Sequence, residues 1–401
     1  MKLKGKKKIG LALSGGGIKA AAFHIGVCLA LKEKGFRFAG GTKDEVASKY
    51  SDDDKVIRLY VGSSAGAVIS TFLASGYSLQ SIISAFEKGS EWDLRGIKEE
   101  LSFEDPLKPI SYSDIFSING KNWIKLLPNL LKGRSILSGG IEAMVKNGLK
   151  INGLVTAKGL EKYIREHVWP NNTFDGLGVE LYIVATQLNH SRKVIFGSFE
   201  ETSKIKHIGW ANYAKVSDAV AASASLPPVF APYGITNERG KEIFYFDGEI
   251  RDTLSTHVAK DHGCDLIIAS YSIQPYHYNE NMGSLHEYGI PLIANQALYQ
   301  VVQQKIEAHR STRETIDKIY HAIRGYFKQK QLPEEDLDKL LNIIEERADY
   351  RPDVDYLYIH PNPHDYEMFF ADHFSLSPKI LSKIVQTGFR AAINQLRKHD
   401  L

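Results

Sequence analysis

The sequence predicts an α/β fold, a three-layer sandwich with a largely parallel central sheet. Three observations carry the prediction. Short apolar runs, several rich in β-branched residues, alternate with runs of helix length, the order that builds a parallel sheet through crossover helices. Small-residue turns, SGGG at 14–17 and GSSAG at 62–66, sit where apolar runs give way to helices. The 401 residues are 43% hydrophobic and 24% charged, enough apolar content for a large core, with no internal repeat and no low-complexity linker.

Each element has its own reason. IGLALS, residues 9–14, is a short buried strand that runs into glycines. Residues 18–34 form a helix closed by Gly35. VIRLYV, residues 56–61, is β-branched and apolar, and the helix after it, 65–75, ends at Gly76. VELYIVATQL and KVIFGS are two strands joined by the polar turn 189–192. VSDAVAASASL is a helix stopped by Pro227 and Pro228, and EIFYFDG is a strand that ends at Asp247. DLIIAS and YLYIHP supply the last strands, and residues 378–397 the last helix. Two amphipathic, mostly helical segments, about 92–160 and about 286–350, break the alternation; they are expected as insertions over the sheet of a single domain, 1–401. In the first of them Trp123, Leu126, Leu127, Leu130 and Leu131 recur at helical spacing, opposite Lys125 and Lys132. Such a surface helix fits either membrane contact or packing on the core, and Pro128 spoils it as an ideal helix.

Charge and cysteine usage exclude whole classes. Lys and Arg number 50 and Asp and Glu 47, and a net charge of +3 gives no case for nucleic acid as a partner. Two cysteines, Cys28 and Cys264, make no disulfide framework; they read as small buried hydrophobes of a reducing, cytoplasmic compartment. The start MKLKGKKK, with apolar residues after it, is similar to a signal peptide, but the apolar run breaks at Ser14 and the glycines, and Lys19 and His24 interrupt the next apolar stretch. A strand is expected there instead. No stretch reaches the roughly 18 apolar residues of a membrane span. The N-terminal lysines read as a solvated, frayed end, or as a patch drawn to anionic lipid at about 1 kcal/mol per residue.

The glycines fit no nucleotide fingerprint. A P-loop ends in Gly-Lys-Ser/Thr, whereas Lys19 lies between Ile18 and Ala20. A dinucleotide turn needs an acidic residue about 20 positions on, which is missing here. What remains is a strand-to-helix turn with backbone N–H groups open to an anion, including a transient oxyanion. The second turn supplies a reason for one. Gly62-Ser63-Ser64-Ala65-Gly66 is a G-x-S-x-G elbow between a strand and a helix, which lifts Ser64 above the sheet. The competing reading is a plain Ser/Gly turn capping a helix, and Ser63, the rival hydroxyl, suits capping. A serine nucleophile needs a base. The order Ser64, Asp247, His257 mimics an α/β-hydrolase triad, although His257 falls within the helix after Asp247.

Together these stretches resemble the patatin-like phospholipase family. SGGGIKAAAFHIG resembles its oxyanion loop, GSSAG its serine elbow and FDGE its Asp-Gly-Gly/Ala motif; ASASLPPVFAPY and the closing HFSLSPKILSKIVQTGFRAAINQL resemble the flanking segments. The resemblance spans nearly the whole chain except the helical insertions. It implies a Ser–Asp dyad with Ser64 as nucleophile and Asp247 as general base. It implies an oxyanion hole from the backbone N–H groups of Gly15, Gly16 and Gly17, with Ala65. It further implies phospholipid or other glycerolipid esters as substrates, possible peripheral membrane contact, and neither metal nor other cofactor. An acyltransferase, or a lipid-binding module with a decayed site, are the alternatives. Three departures stand out: Lys19 where arginine is commoner, Ala20 for a glycine, and Glu249 for a small residue. Lys19 fits either steering of anionic lipid or anchoring of the loop; Glu249 either repels Asp247 or points into solvent. Elsewhere, the spacing of His360, His364, Asp365 and His373 alone could suit a metal, but the prolines at 361 and 363 favour a loop of ordinary polar residues; Asp261, His262 and Cys264 read as a helix end, and residues 52–54 as an acidic turn.

Overall fold

The apolar runs do become strands, and the small-residue turns do separate strand from helix. The computed structural model describes residues 6–50, 55–86, 107–118, 153, 155–190, 192–199, 208–251 and 253–399. The strands are β1 (Ile9–Leu13), β2 (Arg37–Phe38), β3 (Val56–Ser63), β4 (Ser117–Ile118), β5 (Val155–Thr156), β6 (Glu180–Gln187), β7 (Arg192–Phe196), β8 (Ile208–Ala211), β9 (Tyr233–Thr236), β10 (Glu242–Asp247), β11 (Leu266–Ser270) and β12 (Asp355–Ile359). The large sheet runs β12-β11-β1-β3-β6-β10-β9, with β2 beside β3 and β7 joining β6 to β8; β4 and β5 pair separately. Pairings among β12, β11, β1, β3 and β6 are parallel. Those of β6 with β7 and β10, and of β10 with β9, are antiparallel. The sheet is therefore mixed and mostly parallel, an α/β fold with helices on both faces.

Alternation along each strand sorts side chains to the two faces. Leu11 and Leu13 enter the larger core with the Gly17–Glu33 and Pro378–Lys398 helices, while Ala12, Leu59 and Val61 meet Val258 and Ala259 of the Thr256–Asp261 helix on the other side. Cys28 and Cys264 are both buried free thiols.

One feature of the register positions the chemistry. β7 pairs with residues 183–187 of β6, so β3 and β10 must share the opposite edge of that strand. β3 ends with Ser63 opposite Val184, and β10 arrives from the other direction with Asp247 opposite Ala185. Two strands of opposite sense thus terminate against neighbouring residues of β6, which sets the residue after Ser63 beside Asp247.

The expected insertion at 286–350 contains the Ile290–Lys330 helix, 41 residues and roughly 60 Å long, followed by the Glu334–Ala348 helix. Tyr299, Val302 and Ile306 on its inner side pack with Tyr271, Ile273, Tyr276 and Phe369. Most of the segment expected at 92–160, including the stretch with Trp123, lies outside the described residues, as do the acidic turn 52–54 and the first lysines. No helix among the described residues is long and apolar enough to cross a membrane.

Candidate active site

β3 delivers the chain to Ser64 with φ 53° and ψ −120°, a conformation that strains any non-glycine residue. Two groups hold it there. The Ser64 N–H donates to Ser223 Oγ (2.8 Å), which itself donates to the Val184 carbonyl (2.6 Å). The Ala65–Ala74 helix then starts, and the Gly66 N–H donates to the Ser14 carbonyl at 3.1 Å. A Cβ on Gly66 would stand 2.1 Å from the Leu13 oxygen, so only glycine lets this helix sit against the glycine loop. Ser63 does not cap the helix as expected: it is the last residue of β3, and its buried hydroxyl has no partner among the described residues. Ser64 occupies the N-cap, and its side chain is turned to Asp247 instead of the helix.

Asp247 closes β10 and is 2% exposed. Its N–H donates to the Ser225 carbonyl at 3.1 Å, and its own carbonyl accepts from Thr186 Oγ1 at 3.1 Å. The carboxylate accepts the Glu249 N–H (2.8 Å) and lies near enough to Ser64 for that side chain to act on its pKa. Burial pushes its pKa up to about 6, against the opposing pull of Ser64 and the Glu249 N–H. A carboxyl with that pKa is ionised at neutral pH and yet a far better base than an ordinary aspartate.

The glycine loop faces the same point. A Cβ on Gly15 would lie 2.9 Å from Ser64 Cβ. Gly16 is the N-cap of the Gly17–Glu33 helix, and Gly17 has φ 70° with His373 O only 2.6 Å from where its Cβ would be. The N–H groups of Gly17 and Ala65 thus open two helices, where the first turn leaves N–H groups without helical partners. The Gly15 N–H is committed elsewhere: it donates to Glu249 Oε2 at 2.8 Å. This corrects the expectation that Glu249 points into solvent. The side chain is 5% exposed, so it is no solvated carboxylate, and it contacts the loop backbone.

Lys19 anchors the loop. It is 0% exposed, with Nζ donating to Tyr299 Oη (2.7 Å) and to the Met368 carbonyl (3.0 Å). Burial lowers its pKa to about 7, with Asp372 pulling the other way. Ala20 is buried within the helix. His24, fully buried beneath the loop, bridges Ser270 Oγ (2.8 Å) and the Ser14 carbonyl (2.9 Å). His257, the alternative base, lies in the Thr256–Asp261 helix with Nε2 2.8 Å from Lys193 Nζ. His360 stacks on Tyr271, Asp365 caps the Tyr366–Phe370 helix, and Asp261 and His262 end theirs.

Beside Ser64 opens a cleft of about 720 Å³ including its mouth, lined among the described residues by Ile18, Val68, Phe86, Ile110, Leu160, Tyr163, Leu226, Phe230 and Phe374. Asp114 is the one carboxylate on its wall among them. Reasoning from sequence missed four partners of this site: Ser223, Glu249 as a loop ligand, Tyr299 and His373. A family model described as Patatin-like phospholipase matches residues 11–260, well over half of the chain, a range that takes in Gly15 to Gly17, Ser64 and Asp247 but neither Tyr299 nor His373.

Proposed function

The chain belongs to the patatin-like phospholipase family, which supports lipid acyl hydrolase activity, and on that premise we propose that it cleaves fatty-acyl esters of phospholipids or other glycerolipids through a Ser64–Asp247 dyad. The observation that carries the reading is the strained Ser64 elbow set beside the buried Asp247 carboxylate, where β3 and β10 end against neighbouring residues of β6. Asp247 takes the Ser64 proton as Oγ attacks the ester carbonyl. The carbonyl oxygen becomes an oxyanion held by N–H groups of Gly16, Gly17 and Ala65; Gly15 is left out, because Glu249 uses its N–H. Collapse expels the alcohol, which recovers the proton from Asp247. Water then cleaves the acyl-enzyme by the same steps in reverse roles. The apolar cleft suits an acyl chain, each buried methylene of which contributes about 0.8 kcal/mol.

A fluorophosphonate probe and a short-chain p-nitrophenyl ester test the reading. Labelling and hydrolysis should both vanish in Ser64→Ala, and hydrolysis in Asp247→Ala, while His257→Ala keeps both. Hydrolysis that survives Ser64→Ala would sink the assignment.

A further inference from the structure

We propose that His373 positions the oxyanion loop, its Nδ1–H holding the Gly16 carbonyl in a ring tautomer that Tyr299 and Lys19 enforce. The inference rests on the Ser64–Asp247 reading, since it gives a task to the loop that faces Ser64.

The direction of every hydrogen bond follows from the donor inventory. His373 Nδ1 lies 3.2 Å from the Gly16 carbonyl, which can only accept, so Nδ1 carries a proton. Burial, with the Lys19 charge adding to it, lowers the His373 pKa to about 4, so the ring is neutral at pH 7 and Nε2 bears a lone pair. The group facing that lone pair is Tyr299 Oη at 2.8 Å, which must donate. Tyr299 Oη then accepts from Lys19 Nζ at 2.7 Å. The Asn295 side chain also reaches this hydroxyl, and Asp372 acts on Lys19 and His373 through its charge.

The consequence for the site is geometric. The Gly16 carbonyl and the Gly17 N–H belong to one planar peptide and point in opposite directions. A donor that fixes the carbonyl therefore aims the N–H. The His373 backbone grips the next turn as well, its carbonyl accepting the Lys19 N–H at 3.3 Å. Glycines give this loop the freedom to turn its peptides over; His373 removes that freedom where an oxyanion donor needs to be rigid. Tyr299 belongs to the Ile290–Lys330 helix, so the helical insertion has a direct line to the glycine loop.

The test measures kcat and KM separately on the full-length protein with a p-nitrophenyl ester, for His373→Ala, His373→Asn, His373→Gln, Tyr299→Phe and Ser64→Ala. An oxyanion donor acts in the transition state, so His373→Ala should lower kcat about 10- to 100-fold and leave KM within about twofold. Asparagine places an amide N–H near the Nδ1 position and should recover most of the loss; glutamine places it near Nε2 and should not. Nitrogen-15 NMR of histidine-labelled protein should give the Nδ1–H tautomer for His373, and a mixture in Tyr299→Phe, which also serves if His373→Ala does not fold. A His373→Ala kcat within about twofold of the parent, equal behaviour of the Asn and Gln variants, or an Nε2–H tautomer in the parent would each overturn the positioning role. Those results with an inert Ser64→Ala leave the dyad standing; an active Ser64→Ala removes the dyad and the positioning role with it.

Discussion

Asp247→Asn is a substitution for which activity and stability should move in opposite directions, and by an amount the structure sets. Burial lifts the carboxyl from an ordinary 3.8 to about 6. At about 1.36 kcal/mol per unit, the ionised group costs the folded state roughly 3 kcal/mol at pH 8. The sign follows from the raised value. The folded protein holds this proton more tightly than the unfolded chain, so the contribution to stability is fully present below about pH 4 and is lost as pH rises through about 6. Asparagine keeps the volume and an acceptor for Ser64 but cannot ionise. The stability of Asp247→Asn relative to the parent should therefore grow by roughly 2.5 kcal/mol between pH 4 and pH 8. For a chain of this length that is about 3 °C in midpoint.

Calorimetry or denaturant unfolding at both pH values reads the difference directly. A gap that is the same at pH 4 and pH 8 would refute the argument, because it would mean that Asp247 titrates alike in both states. The kinetic counterpart is a kcat/KM that rises about tenfold per unit below pH 6 and is level above it. A plateau already reached at pH 4.5 would contradict the raised value as well.

Further predictions concern the neighbours of the proposed dyad. Ser64→Gly should abolish hydrolysis as Ser64→Ala does, yet be more stable than Ser64→Ala by about 1–3 kcal/mol, since glycine alone relieves the positive φ; equal midpoints for the two would argue against strain. Glu249→Gln keeps an acceptor for the Gly15 N–H and should remain folded and active. Glu249→Ala leaves that N–H buried and unpaired and should cost about 1–3 kcal/mol, measured by denaturant unfolding; parity of the two variants would remove Glu249 as a loop ligand. Val68→Phe, in the wall of the cleft, should cut the preference for long over short acyl esters by about fourfold per excluded methylene in kcat/KM, and an unchanged chain-length profile would place the acyl chain elsewhere.

The parts of this protein that can be read from sequence are those in which the backbone itself is the constraint. Gly62 and Gly66 stand where a side chain would strike the helix or β1, and no other residue type could occupy them, so the elbow announces itself. The strands β1, β3 and β11 are equally legible, because burial on both faces demands nearly unbroken apolar runs. The antiparallel strand β9 was missed: Tyr233–Thr236 is short and mixed, and its partner β10 supplies its order. The helices Lys43–Lys49 and Leu79–Phe86 escaped notice for want of length. Long-range polar partners were the least legible. His373 sits 357 positions from the Gly16 carbonyl it touches, and in sequence its nearest company was a loop of other histidines.

The three residues read from the sequence as departures from the family motifs lie close together in the fold. Lys19, Ala20 and Glu249 all lie in or against the glycine loop, and all are buried. Glu249 takes the first N–H of the triplet, and Lys19 reaches through Tyr299 to the histidine that holds the second carbonyl. A glycine triplet has too much freedom to stay in one arrangement by itself. Its conformation here is fixed by side chains drawn from three distant stretches, the turn after β10, the helical insertion and the segment before the last helix. On the proposed reading, substitutions at such positions leave the Ser64–Asp247 pair in place. They would alter how rigidly the proposed oxyanion donors are aimed, and so belong to kcat before they belong to substrate choice.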